Sequence, residues 1–231
     1  MDLKQLAVAG ALITSALAVF TMFSGVADEA KVYEMGEIKL PNPRLDGETS
    51  VEQALKSRRS RRTYKKDSLK LSELSQILWA AYGQTSPNGG KTSPSAGAKY
   101  PLDIYVFTRD VENLSAGLYV YDSAKHSLKQ LGAGDYSKRL SEAALSQKMI
   151  EEAQATVVLV SVYDRITSRY GQRGVMYAHM EAGHVGQNIY LQAEALGLGT
   201  VAVGAFNPDK VSELLAQSVG EPVYLFPVGK I

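Results

Sequence analysis

The chain has 231 residues, 45% hydrophobic and 21% charged, and contains no cysteine. These proportions belong to an ordinary globular protein and exclude a disordered tail, a collagen-like repeat and a disulfide scaffold. Lys and Arg number 25 against 24 Asp and Glu, a net charge of +1, so no global positive excess argues for nucleic-acid binding, and the absence of thiols removes Cys nucleophiles, Cys-liganded zinc and Cys-ligated iron–sulfur clusters.

At the amino end, residues 6–23 carry no charge; Lys4 precedes them, and Asp28 and Glu29 follow. Ser24-Gly25-Val26-Ala27 puts small residues where a signal peptidase reads. Residues 1–27 therefore read as a secretory signal cleaved after Ala27, or as an uncleaved membrane anchor barely long enough to span. A buried N-terminal helix is a third reading. In the first two, the charge asymmetry turns the remainder outward. The expected location is exported, either periplasmic or held on the outer face of the cytoplasmic membrane through residues 6–23.

Residues 28–49, with Gly36, Pro41, Pro43 and Gly47 and little periodicity, read as an extended arm. The domain proper is expected over 50–231. Ser50 is placed to cap a helix that has Glu52 and Gln53 in its first turn. A second helix is predicted from Ser72, where Leu74, Ile77, Leu78 and Ala81 follow the i, i+3, i+4, i+7 spacing and Gly83 is a natural stop. Residues 84–98, rich in Gly, Ser, Pro, Asn and Thr, read as a long loop, which in a compact domain is often functional. Strands are predicted over 102–107 and 118–121, and a helix over 136–145. The β-branched run 155–163 suits a central strand covered on both faces. Residues 173–196 form the longest helical pattern, without proline. A strand is predicted over 200–206, then a helix with Asn207 as N-cap and Pro208 at its first position, then a last strand over 222–230. No internal repeat is visible. The fold class is α+β with an interior sheet.

Three local patterns stand out chemically. Arg58-Arg59-Ser60-Arg61-Arg62 lies in a run from Lys56 to Lys70 that has eight Lys and Arg against one Asp. Guanidinium groups hold phosphate in a bidentate fork and a serine hydroxyl can complete the contact; a solvated basic turn is the plainer reading, and no aromatic platform interleaves to suggest nucleic acid. Pro94-Ser95-Ala96-Gly97 is either a simple turn or a place where small residues let backbone amides approach a flat ring. In the long helix, Glu181, His184, Asn188 and Gln192 fall on one stripe, which must be paired or wet: a satisfied core network, a subunit interface, or a surface facing cofactor or substrate.

Other chemistries are set aside. His179 and His184 lie about 140° apart around a helix and are poorly placed as joint metal ligands, so no metal site is expected. Gly197-Leu198-Gly199-Thr200 runs from helix into strand, the reverse of a dinucleotide fingerprint. No Gly-x-Ser-x-Gly nucleophile elbow is present.

The order of the motifs is more specific than any of them. Leu40-Pro41-Asn42-Pro43, Arg58 to Tyr64, Leu78-Trp79-Ala80-Ala81, Pro94-Ser95-Ala96-Gly97 with Tyr100-Pro101, Gly117 to Tyr121, Tyr170 to Arg173, Glu181 to Asn188, Gly199, Gly204-Ala205-Phe206 and Pro227 to Lys230 follow one another along the chain. Together, over about residues 38–231, they resemble the SagB-type dehydrogenase branch of the nitroreductase superfamily.

That resemblance implies a nitroreductase-like fold: a central, mostly antiparallel sheet flanked by helices, with one long central helix. It implies an FMN-dependent oxidoreductase, normally a homodimer with flavin sites at the subunit interface. By the same resemblance, Arg58, Arg59, Ser60 and Arg62 would hold the flavin phosphate and pyrimidine edge, with Lys230 as a second phosphate contact. Pro94, Ser95, Ala96 and Gly97 would line the ring, Gly199 and Gly204 would let backbone approach its other side, and Gln147 would lie near the flavin. Tyr170 would donate or accept a proton, and Glu181 and His184 would position substrate or handle protons. Azoline-oxidising members use a Lys–Tyr pair where this chain has Arg169-Tyr170, and arginine stays protonated, so the resemblance does not carry azoline oxidation. The substrate is expected to be a small molecule or a peptide. NAD(P)H is scarce outside the cytoplasm, so an exported form would draw electrons from a membrane or periplasmic carrier, or run as an oxidase. The alternatives are a general NAD(P)H-dependent nitro- or quinone-reductase and a non-catalytic flavin-binding protein.

Overall fold

A computed structural model describes residues 36–215 and 220–231 of the chain. The signal-or-anchor reading of 1–27, and the arm up to residue 35, lie outside the described residues. The described part of the arm contributes β1 (Glu37–Lys39), a short strand, before Ser50 caps α1 (Val51–Ser57) by accepting the Gln53 N–H at 3.1 Å. Next comes α2 (Leu71–Tyr82), which stops at Gly83 and buries Leu74, Ile77, Leu78 and Ala81, the residues whose spacing predicts it.

Seven strands form one sheet, in the order β1-β4-β3-β2-β5-β7-β6. They are β2 (Leu102–Thr108), β3 (Gly117–Asp122), β4 (Ser127–Ala133), β5 (Ala155–Ser161), β6 (Leu198–Thr200) and β7 (Glu221–Lys230), besides β1. Every neighbouring pair is antiparallel. Two separate cores explain why the middles of β2 and β5 are apolar on both faces. On one face Ile104, Val106, Val157 and Leu159 pack with Leu74 and Ile77 of α2 and with Val185 and Ile189 of the long helix α6 (Arg173–Ala195). On the other face Tyr105, Phe107, Val158 and Val160 pack with Leu140 of α3 (Ser137–Ala143), Ile150 of α4 (Lys148–Glu152) and Leu214 of α7 (Pro208–Leu215). Alternate residues of one strand therefore serve two hydrophobic layers. The α+β, nitroreductase-like architecture expected from the sequence is the one observed.

Besides β1 in the expected arm and the unpredicted α4, the elements differ from the sequence reading in three places. The strand expected over 200–206 is β6, ending at Thr200: the next position on β7 is Pro227, which has no N–H to give a ladder, and the Ala202 N–H goes instead to the Tyr190 hydroxyl at 2.8 Å. β4, with Lys, Gln and Gly among its seven residues, has a weak strand pattern and is held by β3 and β1. α5 (Asp164–Tyr170), a short polar helix, follows β5 directly, where the sequence suggests only a connection.

Candidate active site

The basic run leaves α1 at Arg58, whose N–H still bonds to the Ala54 carbonyl. From there the chain is tied to the far end of the sheet. Arg61 N–H donates to the Thr200 carbonyl at 2.9 Å, and Lys65 N–H to that of Lys230 at 2.9 Å. Tyr190 of α6 orders the run from below: its ring lies 5.0 Å from the Arg58 guanidinium, and its hydroxyl shares a hydrogen bond of 2.9 Å with Ser60 Oγ. Gly199 is required for this closeness, since a Cβ there would lie 2.9 Å from Arg61 Cβ and 2.5 Å from Ile231. Arg59 turns back on the helix end, donating to the Lys56 and Arg58 carbonyls at 3.0 and 2.8 Å. Among the described residues no carboxylate lies within ion-pair distance of Arg58, Arg59, Arg61 or Arg62.

Lys230 belongs to the same corner by its backbone, but its side chain is spoken for. Its Nζ sits 2.6 and 2.8 Å from the two oxygens of Glu73, an ion pair within the protein. Gly204 and Gln147 lie together elsewhere: Gln147 Nε2 donates to the Ala205 carbonyl at 2.7 Å and to Ala144 at 2.8 Å, fixing the loop after β6. Neither hydrogen-bonds to the basic run.

The second assembly surrounds Pro94–Gly97. Asn188 of α6 holds this loop by donating to Ser93 Oγ at 3.0 Å and the Thr92 carbonyl at 3.3 Å, while Ser93 Oγ donates to Ala81 at 2.9 Å. Ser95 Oγ accepts the Tyr100 N–H at 2.8 Å, closing a tight turn through Ala96–Ala98. The backbone is left-handed at Gly97, Ala98 and Tyr100, with φ of +58°, +51° and +47°. For the last two, with a Cβ, this conformation is uncommon and stores strain of the sort found at functional sites. A Cβ on Gly97 would meet the Tyr170 hydroxyl at 2.5 Å and Arg169 Nη1 at 3.2 Å. The fold thus presses the Arg169-Tyr170 pair against the loop, and Tyr177 backs Tyr170 edge-on at 5.2 Å.

The helix stripe divides. Glu181 is 1% exposed; its Oε1 accepts the Tyr82 hydroxyl at 2.5 Å, and its Oε2 has no hydrogen-bond partner among the described residues. Burial pushes its carboxyl above the ordinary range, against the opposing pull of the nearby Ser95 and Tyr82 hydroxyls and of Lys91. Burial and the adjoining carboxylate likewise push the Tyr82 phenol up. His184 is exposed, and Gln192 accepts from Gln76 at 3.2 Å. Sequence reasoning missed Tyr82, Lys91 and Tyr190. Each is a polar head in or beside an apolar helix, a weak signal that acquires meaning only from contacts made over long sequence separations.

The nitroreductase family profile matches residues 55–230. The chain belongs to the nitroreductase family. Among its relatives is MJ1384 of Methanocaldococcus jannaschii, a protein named as a nitroreductase, 46% identical over 195 residues that cover 84% of this chain and 96% of that one. The microcin B17-processing protein McbC of Escherichia coli is 24% identical over 139 residues, 58% of this chain and 51% of McbC. Among solved structures, a Ralstonia eutropha protein also named as a nitroreductase superposes with a TM-score of 0.73 at 28% identity, covering 84% of this chain and 89% of that one. This nitroreductase-family oxidoreductase therefore shares its architecture with relatives along most of its length. The profile begins inside α1 and closes on Lys230, so it encloses the basic run, the Pro94–Gly97 loop and α6 alike.

Proposed function

We propose that this chain is an FMN-dependent oxidoreductase of the SagB-type dehydrogenase kind, moving a hydride between the flavin and a small-molecule or peptide substrate. The observation that carries this reading is the basic run at 58–62: the Arg58 guanidinium lies over the Tyr190 ring, the Arg61 N–H is tied to Thr200 of β6, and no carboxylate lies within ion-pair distance of its four arginines among the described residues. Charges arranged so cost self-repulsion unless they have an anion to hold, and a phosphate fits the donor set. Members of the family typically bind FMN. The second assembly supports it too, since Gly97 lets the loop that would line a flat ring pack directly against the Tyr170 phenol and Arg169. Lys230 fits less well, since its charge is already neutralised by Glu73.

When bound, the flavin supplies hydride exchange at its N5. The residues of this chain do the rest. Arg58, Ser60 and Arg62 grip and orient; Gly97 permits close approach; Tyr170 holds or moves a proton at its phenol oxygen. Arg169, permanently charged, stabilises negative charge and does not carry protons. Glu181 acts through Tyr82 and is a positioning residue. The exposed side of α6, with Met180 51% exposed, and the exposed Val51 and Leu55 of α1 support a homodimer. With residues 1–27 as signal or anchor, the protein would be exported and would draw electrons from a membrane or periplasmic carrier.

A second reading, a general NAD(P)H-dependent nitro- or quinone-reductase, is favoured by Arg169 standing where azoline oxidation uses lysine, and by the long match to MJ1384. Two measurements separate the possibilities. Arg58→Ala and Arg62→Ala should each lose most of the bound FMN while far-UV circular dichroism stays that of the wild type; full retention of flavin by both sinks the grip. Rapid anaerobic bleaching of the wild type by NADPH favours the second reading over the first.

A further inference from the structure

Beside Tyr82 lies a cavity of about 530 Å3 that the basic run does not reach. Leu102, Ile104 and Val120 line it with Tyr82 and Tyr121, an apolar and aromatic wall. That volume suits a small molecule, and opposite the apolar wall the lining is charged and polar, with Ser123 and Ser127 among its residues. Its charged side chains are Glu37, Asp103, Asp122, Lys91, Lys125 and Lys129.

The acids are already engaged. Asp103 takes both arms of Arg165 at 2.6 and 3.0 Å. Glu37 accepts Lys125 at 3.2 Å and the Ser127 hydroxyl at 2.7 Å. Asp122 accepts the Ala124 and Lys125 N–H groups, with Lys125 Nζ 4.0 Å away. Among the described residues, the side chains of Lys91 and Lys129 are the two of these six with no hydrogen bond or ion pair. Lys91 is the better enclosed, its Nζ 3.8 Å from the centroid of the Tyr82 ring and 5.2 Å from that of Tyr100. An ammonium held on two aromatic faces, half-buried and with no direct hydrogen bond or ion pair to the carboxylates around it, has room for one partner.

We propose that this cavity binds a small organic anion, a carboxylate with an apolar body, whose charged end pairs with Lys91. The site stands apart from the flavin grip and does not rest on it. The charges facing Lys91 are Asp103 of β2, Asp122 of β3, Glu181 of α6 and Arg165 of α5, with the phenols of Tyr82 and Tyr100 beneath it. Burial outweighs the favourable ones and lowers its pKa to about 8. Anion binding above that pH must take up a proton, so affinity falls as pH rises.

The test is calorimetric titration of the purified full chain with 2-naphthoate, 2-naphthylmethanol and 2-naphthylmethylamine, probes that share one ring and differ in charge. The naphthoate should bind saturably and at least about tenfold more tightly than the other two, the gain expected of a charge-assisted contact. Its affinity should fall roughly tenfold or more between pH 7 and pH 9.5. Lys91→Met should lose that affinity at pH 7 with circular dichroism unchanged, and Lys91→Arg should keep it and lose the pH dependence. Equal binding of the three probes, no saturable binding by the wild type, or naphthoate affinity that Lys91→Met leaves intact each overturns the proposal. If Lys91→Met does not fold, the pH profiles of the wild type and Lys91→Arg decide.

Discussion

Gly97 shows how one residue without a side chain can decide the geometry of a candidate site. With φ at +58° and the Tyr170 hydroxyl where its Cβ would be, Gly97→Ala combines a left-handed cost of about 1–2 kcal/mol with displacement of the phenol. Chemical denaturation should therefore show a loss of about 2 kcal/mol. Adding Tyr170→Phe, which removes the colliding oxygen, should restore part of it; no recovery in the double variant would mean that the hydroxyl is not the obstacle. Lys91 gives the second residue-scale expectation. Its pKa is about 8 in the folded protein and 10.5 for an ordinary lysine, so between those values the unfolded chain holds the extra proton and stability rises with pH. The stability of the wild type relative to Lys91→Met should therefore increase from pH 8 to 10.5 in denaturant melts, and a flat difference would contradict the burial of that amine. The Pro94–Gly97 motif and Tyr170 were each legible from the family resemblance. Their contact was not, because 73 residues separate Gly97 from Tyr170 and only the packing of α5 against the loop joins them.

At the scale of elements, α6 organises the molecule, and its two sides behave differently. Gly186 faces the sheet, where a Cβ would lie 2.6 Å from Phe226 Cζ; Gly183 faces outward, with nothing within 4 Å. Gly183→Ala should gain up to about 1 kcal/mol of helix propensity. Gly186→Ala should lose about 1–3 kcal/mol, because overpacking against a fully buried ring outweighs the same gain. Thermal melts of the two variants should move in opposite directions, and a shift of both upward would disprove the close α6–β7 contact. A partner copy covering the outer face would turn the Gly183 variant's gain into weakened association, visible by sedimentation. Helices with strong periodicity and caps were readable from sequence: the Ser50 cap, the apolar spacing of α2 and the Asn207-Pro208 start of α7 are local signals, and Lys210 N–H indeed bonds to Asn207 Oδ1 at 3.1 Å. β4 and α5 were not readable, since their stability comes from neighbours rather than from their own residues. The polar stripe on α6 was visible as a stripe, but its division into a buried Glu181, a loop-holding Asn188 and an exposed His184 depends on what each turn packs against.

For the whole molecule, the near-zero net charge is a cancellation. Residues 56–70 carry eight positive charges and one negative, a balance of +7, while the remainder holds 17 positive and 23 negative, or −6. The fold leaves Arg58, Arg59, Arg61 and Arg62 of that block without an ion pair among the described residues yet anchors its backbone to β6 and β7. The same fold draws Lys230, the other cation expected at the phosphate, into a pair with Glu73 at a sequence separation of 157 residues, which no local pattern could disclose. A seven-stranded antiparallel sheet with the C-terminal strand β7 inserted between β5 and β6 thus places a basic corner and a strained loop on either flank of one helix. The most direct measurement is to denature the purified wild type and identify and quantify the released chromophore. Stoichiometric FMN is the expected result; colourless protein that stays colourless after incubation with FMN would contradict the assignment.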